Sequence, residues 1–85
     1  MKFRRSNRFK KDYKQLSAAI QNKVDEKLRI FGQNPRHPSL HDHRIKSQSE
    51  LREFRVTAKY RIVYRLAGEN CDLLRVDKHR VIDRM

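Results

Sequence analysis

The stretch Leu51-Arg52-Glu53-Phe54-Arg55-Val56, followed by Tyr60-Arg61-Ile62-Val63-Tyr64-Arg65-Leu66, decides the fold. Phe54 and Val56 alternate with Glu53 and Arg55, and Tyr60, Ile62, Tyr64 and Leu66 alternate with Arg61, Val63 and Arg65. Successive side chains on a strand point to opposite faces, so this period of two marks two half-buried strands. Ala67-Gly68-Glu69-Asn70 supplies a turn, after which Leu74 and Val76 alternate with Leu73, Arg75 and Asp77 in a third strand ending near Lys78. Three antiparallel strands in a meander are expected. If Tyr60, Ile62, Tyr64 and Leu66 face a core, Arg61 and Arg65 project together from the opposite face, and Arg55 joins them there.

Upstream the period is helical. Phe9, Tyr13 and Leu16 recur at spacings of four and three, which predicts a helix over residues 7–16 with Arg8, Lys10, Lys11 and Lys14 turned away from its apolar face. Ile20, Val24, Leu28 and Phe31 continue an apolar stripe to about residue 31, where Gly32 and Asn34-Pro35 form a stop. Ser17 is an N-cap candidate that divides the region into a helical hairpin. Phe3, set among Lys2, Arg4 and Arg5, reads as a short edge strand whose charges discourage pairing with other chains. Asn34-Pro35-Arg36-His37-Pro38-Ser39 is a loop. Helices followed by strands indicate an α+β domain, a helical hairpin packed on a small antiparallel sheet.

With 85 residues there is room for one domain, residues 1–85, and none for a large enclosed cofactor site. Hydrophobic residues make up 36% and charged residues 38%, so the core is thin. Twenty-two Lys and Arg against 10 Asp and Glu give a formal net charge of +12, which points to a polyanionic partner, nucleic acid first. No apolar run approaches the roughly 18 residues of a membrane span, and the basic start MKFRRSNRFKK lacks an apolar region behind it. A cytoplasmic location without membrane partners is expected. Cys71 is the only cysteine, which fits a reducing compartment and reads as a small buried hydrophobe.

Clustered guanidinium groups at Arg55, Arg61 and Arg65 repel one another, and their planar forks suit phosphate oxygens. His37, His41, Asp42 and His43 are close in sequence, but no HExxH or CxxC accompanies them, and packing or hydrogen-bonding roles suit His37 and His41 better than a metal. His79 lies between Lys78 and Arg80, cations that should disfavour its protonation and keep it exchanging protons near neutrality. Histidines among arginines point to metal-free RNA cleavage: a base removes the ribose 2′-OH proton, cations stabilise the phosphorane and an acid protonates the leaving 5′-oxygen. The same residues equally suit simple binding of a phosphate backbone.

Four stretches together resemble the RelE/ParE superfamily of type II toxin–antitoxin toxins, most of all its YafQ and YoeB branch of messenger-RNA interferases. They are Leu16-Ser17-Ala18-Ala19-Ile20-Gln21, His37-Pro38-Ser39-Leu40-His41-Asp42-His43-Arg44-Ile45-Lys46, Phe54-Arg55-Val56 with Tyr60-Arg61-Ile62-Val63-Tyr64-Arg65, and Leu73-Leu74-Arg75-Val76-Asp77-Lys78-His79. The resemblance implies a βααβββ, microbial ribonuclease-like fold and ribosome-dependent messenger cleavage in the A site, without a cofactor. Its implied partners are the ribosome, messenger RNA and a cognate antitoxin. His43 falls where this branch has its base, Arg61 matches the arginine that steadies the transition-state phosphate, and His79 matches the C-terminal general acid. Lys46, Arg55, Arg65 and Lys78 follow as phosphate contacts.

The chain departs from the pattern in two places. No Tyr follows His79 in Arg80-Val81-Ile82-Asp83-Arg84-Met85, and after the loop lysine Ser47 replaces the usual Gly while Gln48-Ser49-Glu50 replaces the Gly-aromatic approach to the strand. Without that Tyr the acid role rests on His79 alone. Two other readings keep the basic face but drop the cleavage: a ParE-like inhibitor of DNA gyrase, and a non-catalytic nucleic-acid- or ribosome-binding module.

Overall fold

A computed structural model describes residues 1–83; Arg84 and Met85, the last two residues of the tail lacking a Tyr, lie outside the described residues. The element order is β1 (Lys2–Arg5), α1 (Asn7–Lys14), α2 (Ala18–Gln33), a 3₁₀ turn (Pro38–Leu40), β2 (His43–Arg44), β3 (Arg52–Arg55), β4 (Tyr60–Ala67), β5 (Asn70–Lys78) and α3 (His79–Ile82). The strands form one sheet in the order β1-β5-β4-β3-β2. β3, β4 and β5 make the expected antiparallel meander. The sheet as a whole is mixed, because β1 pairs parallel to β5 and the short β2 adds antiparallel to β3. The loop and helical hairpin carry the chain from β1 back to the far side of the sheet, which makes a parallel partner possible.

Two serines divide the helices. Ser6 Oγ accepts from Phe9 N at 3.0 Å and Ser17 Oγ accepts from Ile20 N at 3.3 Å, each satisfying a first-turn donor that the helix leaves free. The hairpin predicted at Ser17 is therefore present. α2 continues past the expected stop to Gln33: Gly32 is helical, and its missing side chain faces the Phe3 ring, 3.5 Å from where a Cβ would sit. Gly68 takes the turn role, at φ +61° between β4 and β5.

The main core joins the helices to one face of the sheet. Phe9, Val24, Leu28 and Phe31 pack with Phe54, Val56, Ile62, Tyr64, Cys71, Leu73 and Val76. Leu66, expected in this layer, is 52% exposed because it lies beyond the helical cover. The β5 alternation also differs from expectation: Cys71, Leu73 and Val76 face inward, since the β4 register slips between Val63 and Tyr64 and leaves Leu74 as an extra residue. That bulge turns Leu74 to the opposite face. There Leu51, Val63 and Ile82 form a second, small cluster with Ile45 and Leu74, and Ile82 brings α3 back over the outer face of the sheet. Among the described residues, no helix is long and apolar enough to cross a membrane.

Cys71 is fully buried, and desolvation, reinforced by Asp72 and Asp42, pushes its thiol up to about 12. Only the thiolate alkylates. At pH 8 the native protein should resist iodoacetamide and react readily once unfolded in urea. Native labelling at the rate of a free thiol would show that β5 does not pack this way.

Candidate active site

The outer face of the sheet is built from two cross-strand rows. His43 on β2 faces Glu53 on β3, which faces Val63 on β4; Arg55 on β3 faces Arg61 on β4. Glu53 and Arg55 are two residues apart on one strand, as are Arg61 and Val63 on the next, so both rows share one face. α3, anchored through Ile82, brings His79 and Asp83 to the same side. The result is a cleft of about 310 Å³ lined by His43, Lys46, Glu53, His79 and Asp83 among others.

Each histidine in the cleft is held by an acid. His43 Nε2 lies 2.8 Å from Glu53 Oε1, and its Nδ1 lies 3.0 Å from His41 O. The carbonyl can only accept, so Nδ1 carries the hydrogen of that bond and Nε2 is the nitrogen that faces the carboxylate. Glu53 is only 3% exposed, a buried carboxylate that needs such a partner. His79 Nε2 lies 3.3 Å from Asp83 Oδ1, one helical turn on. The expected surroundings of His79 are thus corrected: its ring is paired with an acid that the flanking Lys78 and Arg80 do not reveal.

The arginines are less neutralised. Arg61, 8% exposed, donates through Nη1 to Thr57 O at 2.8 Å and to Ala58 O and Tyr60 O at 3.3 Å each, tying its guanidinium under the β3–β4 turn. Burial lowers the Arg61 pKa from its usual value and the neighbouring Arg55 lowers it further, while Glu53 and Asp83 oppose them. Arg55 Nε is buried without a hydrogen-bond partner. Two like charges directly opposite each other on a sheet are destabilising, and a buried guanidinium nitrogen without an acceptor adds to that cost. An anion between Arg55 and Arg61 would relieve both.

The other basic residues singled out in the sequence are dispersed. Lys46 lines the cleft, but Lys78 opens onto a neighbouring one. Arg65 lies further along β4 and contributes with Arg4 to a pair of ion pairs around Asp72, at 3.4 Å and 2.6 Å. It is not beside Arg61, because three residues of strand lie between them.

The loop histidines part company. His37 Nδ1 accepts from Ser39 N at 3.2 Å, and His41 takes the left-handed conformation at φ 48°. Both line a larger cleft on the opposite side, with Tyr64 and Leu66. There the Tyr64 hydroxyl donates to Asp42, and Arg52 Nε reaches Asp42 at 3.0 Å. Desolvation and the Asp42 carboxylate push the Tyr64 hydroxyl well above its usual range. Asp42 anchors the loop on the core side while His43, the next residue, points to the outer face. Among the described residues, no group of three or more His, Cys, Asp or Glu side chains converges as a metal site.

Sequence reasoning missed Glu53 and Asp83. Glu53 was legible as the outward partner of Arg55 in the period-two pattern, and Asp83 as the residue four on from His79, had the tail been read as helical. Val63 and Ile82, which hold α3 in place, carried no separate signal.

A family model described as the ParE toxin of the type II toxin–antitoxin system, parDE, matches residues 3–82. No curated protein matches the sequence. Among solved structures, a YoeB/ParE toxin from Agrobacterium tumefaciens is similar at a TM-score of 0.79 and 21% identity, covering 93% of this chain and 99% of that one. YafQ from E. coli is similar at 0.79 and 20% identity, covering 94% of each. RelE in the archaeal RelE-RelB complex from Pyrococcus horikoshii is similar at 0.73 and 15% identity, covering 91% and 92%. The helical hairpin, the β3–β5 meander and the match over almost the whole length agree: the chain belongs to the ParE toxin family of type II toxin–antitoxin systems, on the fold shared by YoeB, YafQ and RelE toxins.

Proposed function

We propose that this toxin is an endoribonuclease that cleaves messenger RNA in the ribosomal A site by general acid–base chemistry at the ribose 2′-OH. The observation that carries the reading is the Arg55–Arg61 pair, partly desolvated and with Arg55 Nε lacking an acceptor, on the same face as two histidines that each hold a carboxylate. A binding surface alone has no need of acid-paired histidines on either side of its cations.

In this reading His43 takes the 2′-OH proton and the 2′-oxygen forms a bond to phosphorus. The P–O5′ bond then breaks as His79 gives a proton to the leaving oxygen. The products are a 2′,3′-cyclic phosphate and a 5′-hydroxyl. The Glu53 carboxylate, 2.8 Å from Nε2, stabilises the imidazolium that forms when this nitrogen takes the proton. Asp83 orients His79. Arg61 and Arg55 stabilise the charge that builds on the phosphorane, and their preorganisation by the sheet means little rearrangement during the step. Lys46 contacts phosphate at the rim.

The acid and the base of the proposed step are both side chains of this chain. A cognate antitoxin is the implied protein partner, as in the E. coli DinJ-YafQ and archaeal RelE-RelB complexes of the structural neighbours. A negatively charged segment suits a chain of net charge +12. One observation favours a second reading: the matching family model is that of ParE, and a gyrase-binding role uses the same scaffold without cleavage.

The test replaces the nucleophile. A messenger carrying a single 2′-deoxy nucleotide at the mapped cleavage position should resist the wild type there. On the unmodified messenger, His79→Ala should slow cleavage by about 10²–10⁴-fold, the usual contribution of a positioned acid. Cleavage of the deoxy messenger at an undiminished rate would overturn the mechanism.

A further inference from the structure

His79 stands on the wall of two clefts. The first, with Glu53 and Asp83, is the candidate active site. The second, of about 520 Å³, is lined by Ala58, Lys59, Lys78, His79, Arg80 and Val81. Among the described residues, no carboxylate lines it. Lys59, Lys78 and Arg80 are exposed, and among the described residues none of them enters an ion pair. The two sides of the cleft are tied together, since His79 N donates to Lys59 O at 2.7 Å and fixes the β3–β4 turn against the start of α3. Three like charges thus face one concavity, a positive potential that suits an anion.

We infer that this second cleft is a subsite for the RNA backbone, holding phosphates of the nucleotides that flank the scissile bond on the side of His79. The inference rests on the ribonuclease reading above. A strand whose scissile phosphate lies against His79 in the first cleft continues past the same ring into the second, where it meets only cations. The division of labour follows from the lining: carboxylates sit where protons move, and cations alone where a backbone is held. A polyanionic strand is favoured over an acidic peptide by this continuity, because the cleft shares a wall with the place where phosphate chemistry is proposed.

The test uses the full chain and a triple variant, K59Q/K78Q/R80Q, with K59R/K78R/R80K as the charge-preserving control. Binding of a 2′-O-methyl single-stranded RNA, which cannot be cleaved, is measured as a function of salt. Each phosphate contact on a single strand contributes about 0.7 to the slope of log K against log salt, so the triple variant should lose roughly 2 from that slope. On programmed ribosomes its half-saturating concentration should rise at least about tenfold. The control should behave as the wild type. An unchanged slope and half-saturation, with wild-type cleavage intact, would remove the subsite and leave the ribonuclease reading standing. Loss of affinity for poly-glutamate with RNA affinity unchanged would instead make the cleft a protein-binding surface and overturn the inference. A wild type that neither binds nor cleaves RNA would sink both readings.

Discussion

Arg61→Ala should reduce single-turnover cleavage by about 10²–10³-fold, the usual loss when a preorganised donor to a developing anion is removed. The size follows from where the sheet puts this residue. Arg61 is almost wholly buried, one guanidinium nitrogen is tied to the carbonyls of Thr57, Ala58 and Tyr60, and Arg55 stands directly across the strand pair. Water screens such a charge poorly, so it acts on a phosphorane more strongly than a surface cation would. Arg61→Lys should not restore the rate, because an ammonium cannot span turn carbonyls and phosphate with a planar fork. The substitution also frees three carbonyls of the turn, so a thermal melt must accompany the kinetics. A variant that remains folded and cleaves within threefold of the wild type would remove Arg61 from the chemistry.

Phe31→Ala should cost about 3–5 kcal/mol, the range for deleting a buried phenyl ring. Phe31 is 1% exposed and stands at the centre of the aromatic core: its ring stacks on Phe54 at 4.8 Å, meets Tyr64 edge-on at 4.9 Å and touches Phe3 at 6.1 Å. It therefore joins α2 to β1, β3 and β4 at once. Small domains have a total stability of about 5–15 kcal/mol, and this one has a thin core, so the variant should be largely unfolded at 37 °C. Urea titration followed by circular dichroism reads the loss directly. A shift below about 1 kcal/mol would mean that the ring is not enclosed as described.

Much of this arrangement is legible in the residue pattern. The period-two stretch around Arg61 marks β3 and β4 because each strand buries one face, and the spacing from Phe9 to Phe31 marks two helices because each presents one stripe. Ser17 reveals the break between them through a hydrogen bond that is local in sequence. What escapes is what depends on contacts between distant segments. Leu74 becomes a bulge only because β4 fixes the register opposite it, and α3 exists because Ile82 finds Val63 and Leu51. The candidate site shows the same division. His43, Arg61 and His79 stand out by residue type, whereas Glu53 and Asp83 gain meaning only when the sheet and the final turn bring them to those rings. Arg65 and Lys78 share the type of the site residues but not their place: one is taken up by Asp72, the other faces the second cleft.

The most direct test of the central claim maps the 5′ ends of a translated messenger in a reconstituted translation reaction containing the purified toxin. Wild type should produce ends inside A-site codons, with 5′-hydroxyl termini, and Arg61→Ala should produce almost none. An intact messenger at saturating toxin, together with inhibition of gyrase supercoiling by the same preparation, would contradict the account and make the arginine face a surface for binding.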